Sequence, residues 1–303
     1  MSKIDMSVDL NGLKLKNPVT VASGTFGFGE EFETFMNLNA LGAISVKGLT
    51  LKPKKGNPPP RLHETSMGLL NSIGLENPGV EVFIRKYIPY LRQFDTKIIV
   101  NINGGNVEEY KKMAKILDKE DIDSIELNIS CPNVKDGGLA FGTNPKVVRE
   151  IVTAIRKSTT KHLMVKLSPN VTDIKEIALI VEECGADAIS LINTVTGMAI
   201  DIDQQESVIK RKVAGFSGPA IKPIAIWKVF EVASVVNIPI LGMGGITSGA
   251  DAVEFMLAGA TAIAVGTGNF INPKKSLNVL EGIEKYLEKK KNLSVKEIIG
   301  LVK

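Results

Sequence analysis

The chain is poor in the residues that build metal centres and covalent scaffolds. It has two cysteines, Cys131 and Cys184, among 303 residues. Two thiols make no disulfide framework, which points to a reducing compartment. They also fall short of the four thiolates that usually hold an iron–sulfur cluster, so a cluster serving this protein must sit on another chain. Histidine is equally scarce: His63 follows a proline run, His162 precedes an apolar strand, and the two cannot assemble a metal cluster. No apolar run approaches the roughly 20 residues of a membrane span, and the polar start Met1–Asp9 carries no export signal. A cytoplasmic protein without membrane association is the expectation. No Gly-x-Gly-x-x-Gly follows a strand and opens a helix, so direct dinucleotide binding lacks its usual cradle. Charge of one sign is not concentrated either, since the net charge of +4 is spread along the chain. The Lys-rich stretch Lys285–Lys291 reads as a solvated helix end rather than a nucleic-acid surface.

What is present is a globular composition, 44% hydrophobic, with length for one large domain or two smaller ones. Eight short β-rich runs are visible: Val19–Ala22, Ala43–Val46, Ile98–Asn101, Ser124–Ile129, Met164–Leu167, Ala188–Ile192, Pro239–Gly242 and Ala262–Val265. Between them lie helical patterns with apolar residues recurring at three and four, as in Val107–Asp118, Pro145–Lys157, Ile174–Cys184, Ile224–Val236 and Ala250–Ala258. Asn106 followed by Glu109 resembles a capping box. This alternation predicts an α/β fold, a (β/α)8 TIM barrel forming a single domain over residues 1–303, with a doubly wound open sheet as the alternative. Ahead of the barrel, Val8–Leu10 and Leu13–Leu15 flank Asn11-Gly12, a favoured two-residue turn, and predict an N-terminal β-hairpin closing the bottom.

Barrel enzymes work at the C-terminal ends of their strands, and here those ends are polar. They carry Ser23, Lys47-Gly48, Asn101 and Asn103, Asn128, Lys166 and Ser168, and Asn193-Thr194, followed by the glycine pairs Gly244-Gly245 and Gly266-Thr267-Gly268. Lys47 and Lys166 emerge from apolar strands, and an ammonium there must pair with charge. Both at one mouth imply an anionic ligand; a structural ion pair is the alternative for each. The glycines sit where many barrels bind phosphate through backbone N–H groups, so a mononucleotide such as FMN fits better than a dinucleotide. In Glu126–Asn133, Cys131 stands between two asparagines after an apolar run. Pro132 places the thiol on a loop, and amide side chains suit a planar ligand with alternating carbonyl and N–H groups, although asparagines also make local turns.

Six ordered segments carry a close resemblance to the class 1 dihydroorotate dehydrogenases over essentially the whole chain. They are Ala22-Ser23-Gly24-Thr25, Asn71-Ser72-Ile73-Gly74-Leu75, Asn128-Ile129-Ser130-Cys131-Pro132-Asn133, Ile192-Asn193-Thr194, Ser217-Gly218-Pro219-Ala220 and Gly242-Met243-Gly244-Gly245-Ile246. Gly24–Gly29, Gly56-Asn57-Pro58-Pro59-Pro60-Arg61 and Ser294–Gly300 resemble the B-type of that class. The resemblance implies FMN as cofactor, dihydroorotate as substrate and orotate as product in pyrimidine synthesis. It implies Cys131 as the base that removes a proton from C5 while a hydride leaves C6 for the flavin. Ser23, Lys47, Gly48, Asn101, Asn128, Lys166, Ile192, Gly218, Gly244, Gly245, Gly266 and Thr267 would hold FMN. Lys47, Asn71, Ser72, Ile73, Gly74, Leu75, Asn128, Asn133, Asn193 and Thr194 would hold the substrate. The segment Cys131–Gly142 has the length of a lid. A homodimer core and a second subunit carrying FAD and a [2Fe-2S] cluster, passing electrons to NAD, are further implications. An A-type enzyme reducing fumarate, a flavin-free phosphate-binding lyase and a scaffold without turnover stand as alternatives.

Overall fold

The computed structural model describes residues 4–129 and 141–302. The chain opens with a hairpin, β1 (Val8–Leu10) and β2 (Leu13–Leu15), paired antiparallel around a turn in which Asn11 and Gly12 take positive φ of 58° and 102°. That backbone is the one Asn-Gly tolerates. Val8, Leu10, Leu13 and Leu15 are buried while Asp9 and Lys14 face solvent, so one face of the hairpin is apolar.

Eight parallel strands then close into a barrel: β3 (Val19–Val21), β4 (Ala43–Ser45), β7 (Lys97–Ile102), β8 (Ser124–Asn128), β9 (His162–Lys166), β10 (Ala188–Leu191), β15 (Ile240–Met243) and β16 (Ala262–Val265). The expected (β/α)8 barrel is therefore the fold. Helices pack outside it. In α2 (Pro145–Arg156) the Asn144 side chain accepts from the backbone of Lys146 and Val147, proline opens the first turn, and Val148, Ile151, Val152 and Ile155 form the buried stripe. Burying each such side chain contributes roughly 1.5–3 kcal/mol, which fixes the helix against the strands. Helix α1 (Val107–Leu117) starts as expected at Asn106, whose side chain accepts from Glu109 N–H at 3.0 Å. The return bond of the capping box is shifted by one residue, because Glu109 accepts from Gly105 N–H rather than from Asn106. Helices α3 (Ile174–Glu183), α4 (Lys222–Ala233), α5 (Gly249–Leu257) and α6 (Lys275–Lys290) complete the outer ring. The lysines at the end of α6 are exposed, as a solvated helix end requires.

The hairpin covers the N-terminal end of the barrel. His162, the first residue of β9, meets the Leu10 carbonyl through Nε2 at 2.6 Å and Ser124 Oγ through Nδ1 at 2.7 Å. This is structural work at the end of the barrel away from the strand C-termini. Burial lowers its pKa, against the Leu10 hydrogen bond and the Asp187 and Asp9 charges. The Ser294–Gly300 segment packs beside this end, where Val295 N–H donates to Asp5 O and Asp5 N–H to Leu293 O.

Two excursions leave the barrel at its other end. After β4 come β5 (Leu62–Thr65) and β6 (Gly68–Asn71); after β10 come β11 (Val195–Gly197), β12 (Ile200–Asp201), β13 (Glu206–Ser207) and β14 (Ala214–Ser217). They join in a sheet ordered β11-β14-β6-β5 that the sequence did not announce. Trp227 is 55% exposed and lies under the Lys228 ammonium, 3.8 Å from its ring centre.

Candidate active site

A cavity of about 600 Å³ opens at the C-terminal mouth of the barrel, beneath that four-stranded sheet. Its floor comes from strand ends. Ser23 follows β3, Lys47 and Gly48 follow β4, Asn101 ends β7, Asn128 ends β8 and Lys166 ends β9, and all line the cavity. One wall is Ile192, Asn193 and Thr194 after β10, beside Gly244 and Gly245 after the neighbouring β15 and Gly266 and Thr267 after β16. Asn71, Ser72, Ile73, Gly74 and Leu75 follow from β6, and Gly218 lines the cavity next to Gly245. Every described residue singled out by the sequence thus lines one cavity. Cys131 and Asn133, with most of the expected lid, lie outside the described residues. Ile129 and Gly142 on either side are joined by a 2.8 Å backbone hydrogen bond.

Among the described residues neither lysine makes the ion pair held open for it. Lys166 is 4% exposed, and its Nζ reaches Ser23 Oγ at 3.4 Å. Lys47 lies beside the Gly24 backbone, and burial holds its pKa below the usual lysine value. The carboxylate it feels, Glu76, is already engaged by Arg61. Positive charge on the floor is therefore offered to the cavity.

The amides are held in place by neighbours. Asn71 Nδ2 donates to Gly215 O across the β6–β14 pair at 3.2 Å, and Asn193 Nδ2 approaches Asn128 Oδ1 at 3.4 Å. Tyr110 on α1 fixes the Asn128 backbone by donating to its carbonyl at 2.7 Å. The 71–75 segment turns through Gly74 and Leu75 at positive φ, and Asn57 Nδ2 bonds Ser72 O at 2.9 Å. A Cβ on Gly74 would fall 2.6 Å from the Asn57 backbone nitrogen. Asn57, Asn103, Ser168 and Asn170 also line the cavity, although the sequence reading gave them no ligand role. Asn170 brackets the 193–196 turn, donating to Thr194 O and accepting from Thr196 N–H, both at 3.0 Å. The signal for Asn57 was its proline-rich context, which reads first as a turn.

The glycine wall is rigidly backed. Gly245 has φ of 77°, and a Cβ there would lie 2.8 Å from the Lys222 backbone nitrogen and 3.0 Å from the Gly218 carbonyl. Gly218 approaches Gly68 closely, whose Cα would be 2.7 Å from an added Cβ. Asp251 accepts from Thr247 N–H and Oγ1 at 2.9 Å each, and from Lys222 at 2.7 Å. Burial opposes its charge, but these bonds prevail and bring its pKa down to about 2. Thr267 Oγ1 donates to Ser217 Oγ at 2.8 Å, tying β16 to β14. Among the described residues no group of three metal-ligating side chains occurs, and no helix is long and apolar enough to cross a membrane.

A floor of buried cations, a ring of amides and a glycine-lined wall suit an anionic, planar, phosphate-bearing ligand set. Comparison with known proteins gives the same direction. The family model described as dihydroorotate dehydrogenase matches residues 5–287. A protein of Thermoanaerobacter sp. (strain X514), named dihydroorotate dehydrogenase B (NAD(+)), catalytic subunit, is 55% identical, covering 99% of both chains. Proteins of the same name from Alkaliphilus oremlandii and Caldicellulosiruptor bescii are 56% and 54% identical, again over 99% of both chains. With the family model and full-length relatives in agreement, this chain belongs to the dihydroorotate dehydrogenase family, with B-type catalytic subunits as its relatives.

Proposed function

We propose that this chain, as one barrel domain, oxidises dihydroorotate to orotate with FMN as its resident cofactor. It serves as the catalytic subunit of an NAD-linked enzyme of pyrimidine synthesis. The observation that carries the reading is the convergence of Lys47, Lys166 and the cavity amides with Gly218, Gly244 and Gly245, where an added Cβ would fall within 2.8 Å of a neighbouring atom. These residues fit FMN. Gly218, Gly244, Gly245, Gly266 and Thr267 would cradle its phosphate and ribityl chain. Ser23, Gly48, Asn101, Asn128 and Ile192 would meet its ring, with Lys166 beside them. When bound, FMN supplies the acceptor for the hydride that leaves C6 of the substrate.

The protein's own groups do the rest. Lys47 holds the substrate carboxylate, while Asn71, Asn128, Asn133, Asn193 and Thr194 read the pyrimidine edge, with the backbone of residues 72–75 assisting. Fixing the ring in this way aligns C5 with the base and converts a collision into an oriented step. Cys131 takes the C5 proton as thiolate, the form in which a thiol acts as a general base. Lys166 provides positive charge where electron density arrives. A homodimeric core of this chain would dock a partner subunit bearing FAD and a [2Fe-2S] cluster, whose chemistry would be to carry electrons on to NAD.

The visible spectrum of the purified protein under anaerobic conditions tests this directly. Yellow protein that bleaches on adding dihydroorotate is expected. A colourless protein that stays unresponsive after FMN is supplied would overturn it. Cys131→Ala is expected to retain FMN and lose most of the bleaching rate in stopped flow; an unchanged rate would remove the base assignment.

A further inference from the structure

The cavity floor contains a hydrogen-bond chain that the reaction as described does not use. Glu126 is fully buried inside the barrel. Its Oε1 accepts from Ser190 Oγ at 2.7 Å and its Oε2 from Asn101 Nδ2 at 2.6 Å. A carboxylate only accepts, so Asn101 must turn its amide nitrogen towards Glu126. The Asn101 carbonyl oxygen then accepts from Asn103 Nδ2 at 2.9 Å. That bond commits the Asn103 nitrogen and leaves its oxygen as the open end of the chain. Asn103 lines the cavity and is fully buried, and among the described residues its Oδ1 meets no hydrogen-bond partner.

A buried amide oxygen without a donor keeps the full cost of lost solvation, so its retention calls for a donor from outside the chain. The space is reserved for this pair. A Cβ on Gly48 would fall 2.5 Å from Asn103 Nδ2 and 2.8 Å from Asn101 Oδ1. We propose that Asn103 Oδ1 accepts a ring N–H of the bound ligand, and that Glu126 is the positioning residue that fixes this polarity through Asn101. The chemistry recognised is a cyclic imide N–H between two carbonyls. Both the flavin ring and the pyrimidine ring contain one. Complete burial of Asn103 on the floor favours the flavin, whose oxidised ring has that single N–H. This inference rests on the FMN reading and deepens it.

The test is a ratio of affinities, which does not depend on turnover. Apo-protein is titrated with FMN and with N3-methyl-FMN by flavin fluorescence, and FMN-loaded protein with orotate and N3-methylorotate by the flavin spectrum. Wild type is expected to disfavour the methylated flavin by about tenfold or more, the worth of one buried hydrogen bond. Asn103→Val removes the acceptor, and Glu126→Gln lets Asn101 turn; both bring the ratio towards one while FMN still binds. A purely structural role for Glu126 would weaken both flavins equally. Loss of discrimination confined to the orotate arm supports the acceptor and assigns its donor to the pyrimidine. Discrimination unchanged in the folded variants, in both arms, overturns the proposal. Wild type that takes up neither flavin overturns this inference together with the FMN reading, and so separates the two failures.

Discussion

At the scale of single residues, the site trades stability for charge. Lys47 keeps an ammonium in a place where burial lowers its pKa from 10.5. A folded pKa below the unfolded one means the unfolded chain binds more protons in that window, so stability gained from this group rises with pH towards 10.5. Lys47→Met should therefore raise unfolding free energy at neutral pH by about 1 kcal/mol and flatten that rise, while abolishing orotate binding. Urea titrations at several pH values check the first part and spectral titration the second. Gly48→Ala is expected to do the opposite, driving a methyl into the Asn101–Asn103 pair at a cost of about 1–3 kcal/mol. The lysines and cavity asparagines were legible in the sequence because polar residues ending apolar strands are conspicuous. Glu126 was not, since a carboxylate inside a strand pattern looks like a solvent-facing position until the barrel closes around it.

At the scale of elements, two anchors tie flanking segments to the barrel. Asp251 pins the turn after β15 through Thr247, and its pKa of about 2 keeps that anchor ionised at neutral pH. Its contribution is present above the ordinary 3.8 and is lost as pH falls through about 2. Asp251→Asn should cost about 1 kcal/mol at pH 7 and weaken FMN binding several-fold, read by calorimetry and fluorescence titration. The second anchor is His162, which ties the hairpin to β8 and β9. Its folded pKa lies below 6.5 because of burial, so the stability it brings is complete above 6.5 and declines as pH falls through the folded value. His162→Gln should remove that decline in denaturation midpoints between neutral and mildly acid pH. Asp187, Arg156 and Asp9 face the same ring and belong in the control set. The hairpin, the barrel strands and the helix after Asn106 were readable because their signals are local: an Asn-Gly turn, runs of apolar residues, the cap at Asn106. The β6–β14 pairing was not, because Asn71 and Gly215 are far apart in the chain and each strand is four residues long.

At the scale of the whole molecule, ligand and fold are coupled through the cavity. FMN at a hundredfold excess over its Kd should raise the unfolding free energy by about 2.7 kcal/mol, visible as a rise in Tm that vanishes without flavin. Gly68→Val tests how far the upper sheet acts as one body. Its side chain would meet the Ser217 carbonyl and the Phe216 ring, so it should weaken orotate binding through both Asn71 and Thr194 while leaving FMN in place. Titration of the variant with each ligand separates the two effects.

The same sheet bears on how such barrels can be recombined. β6 comes from the first half of the chain and β14 from the second, yet they share hydrogen bonds at the mouth of the cavity. A chimera of two relatives joined between β8 and β9 would inherit Asn71 from one parent and its Gly215 partner from the other. Shuffling of half-barrels therefore succeeds here only between parents that agree at this seam, and the unit of exchange is the pair of excursions rather than the half-barrel.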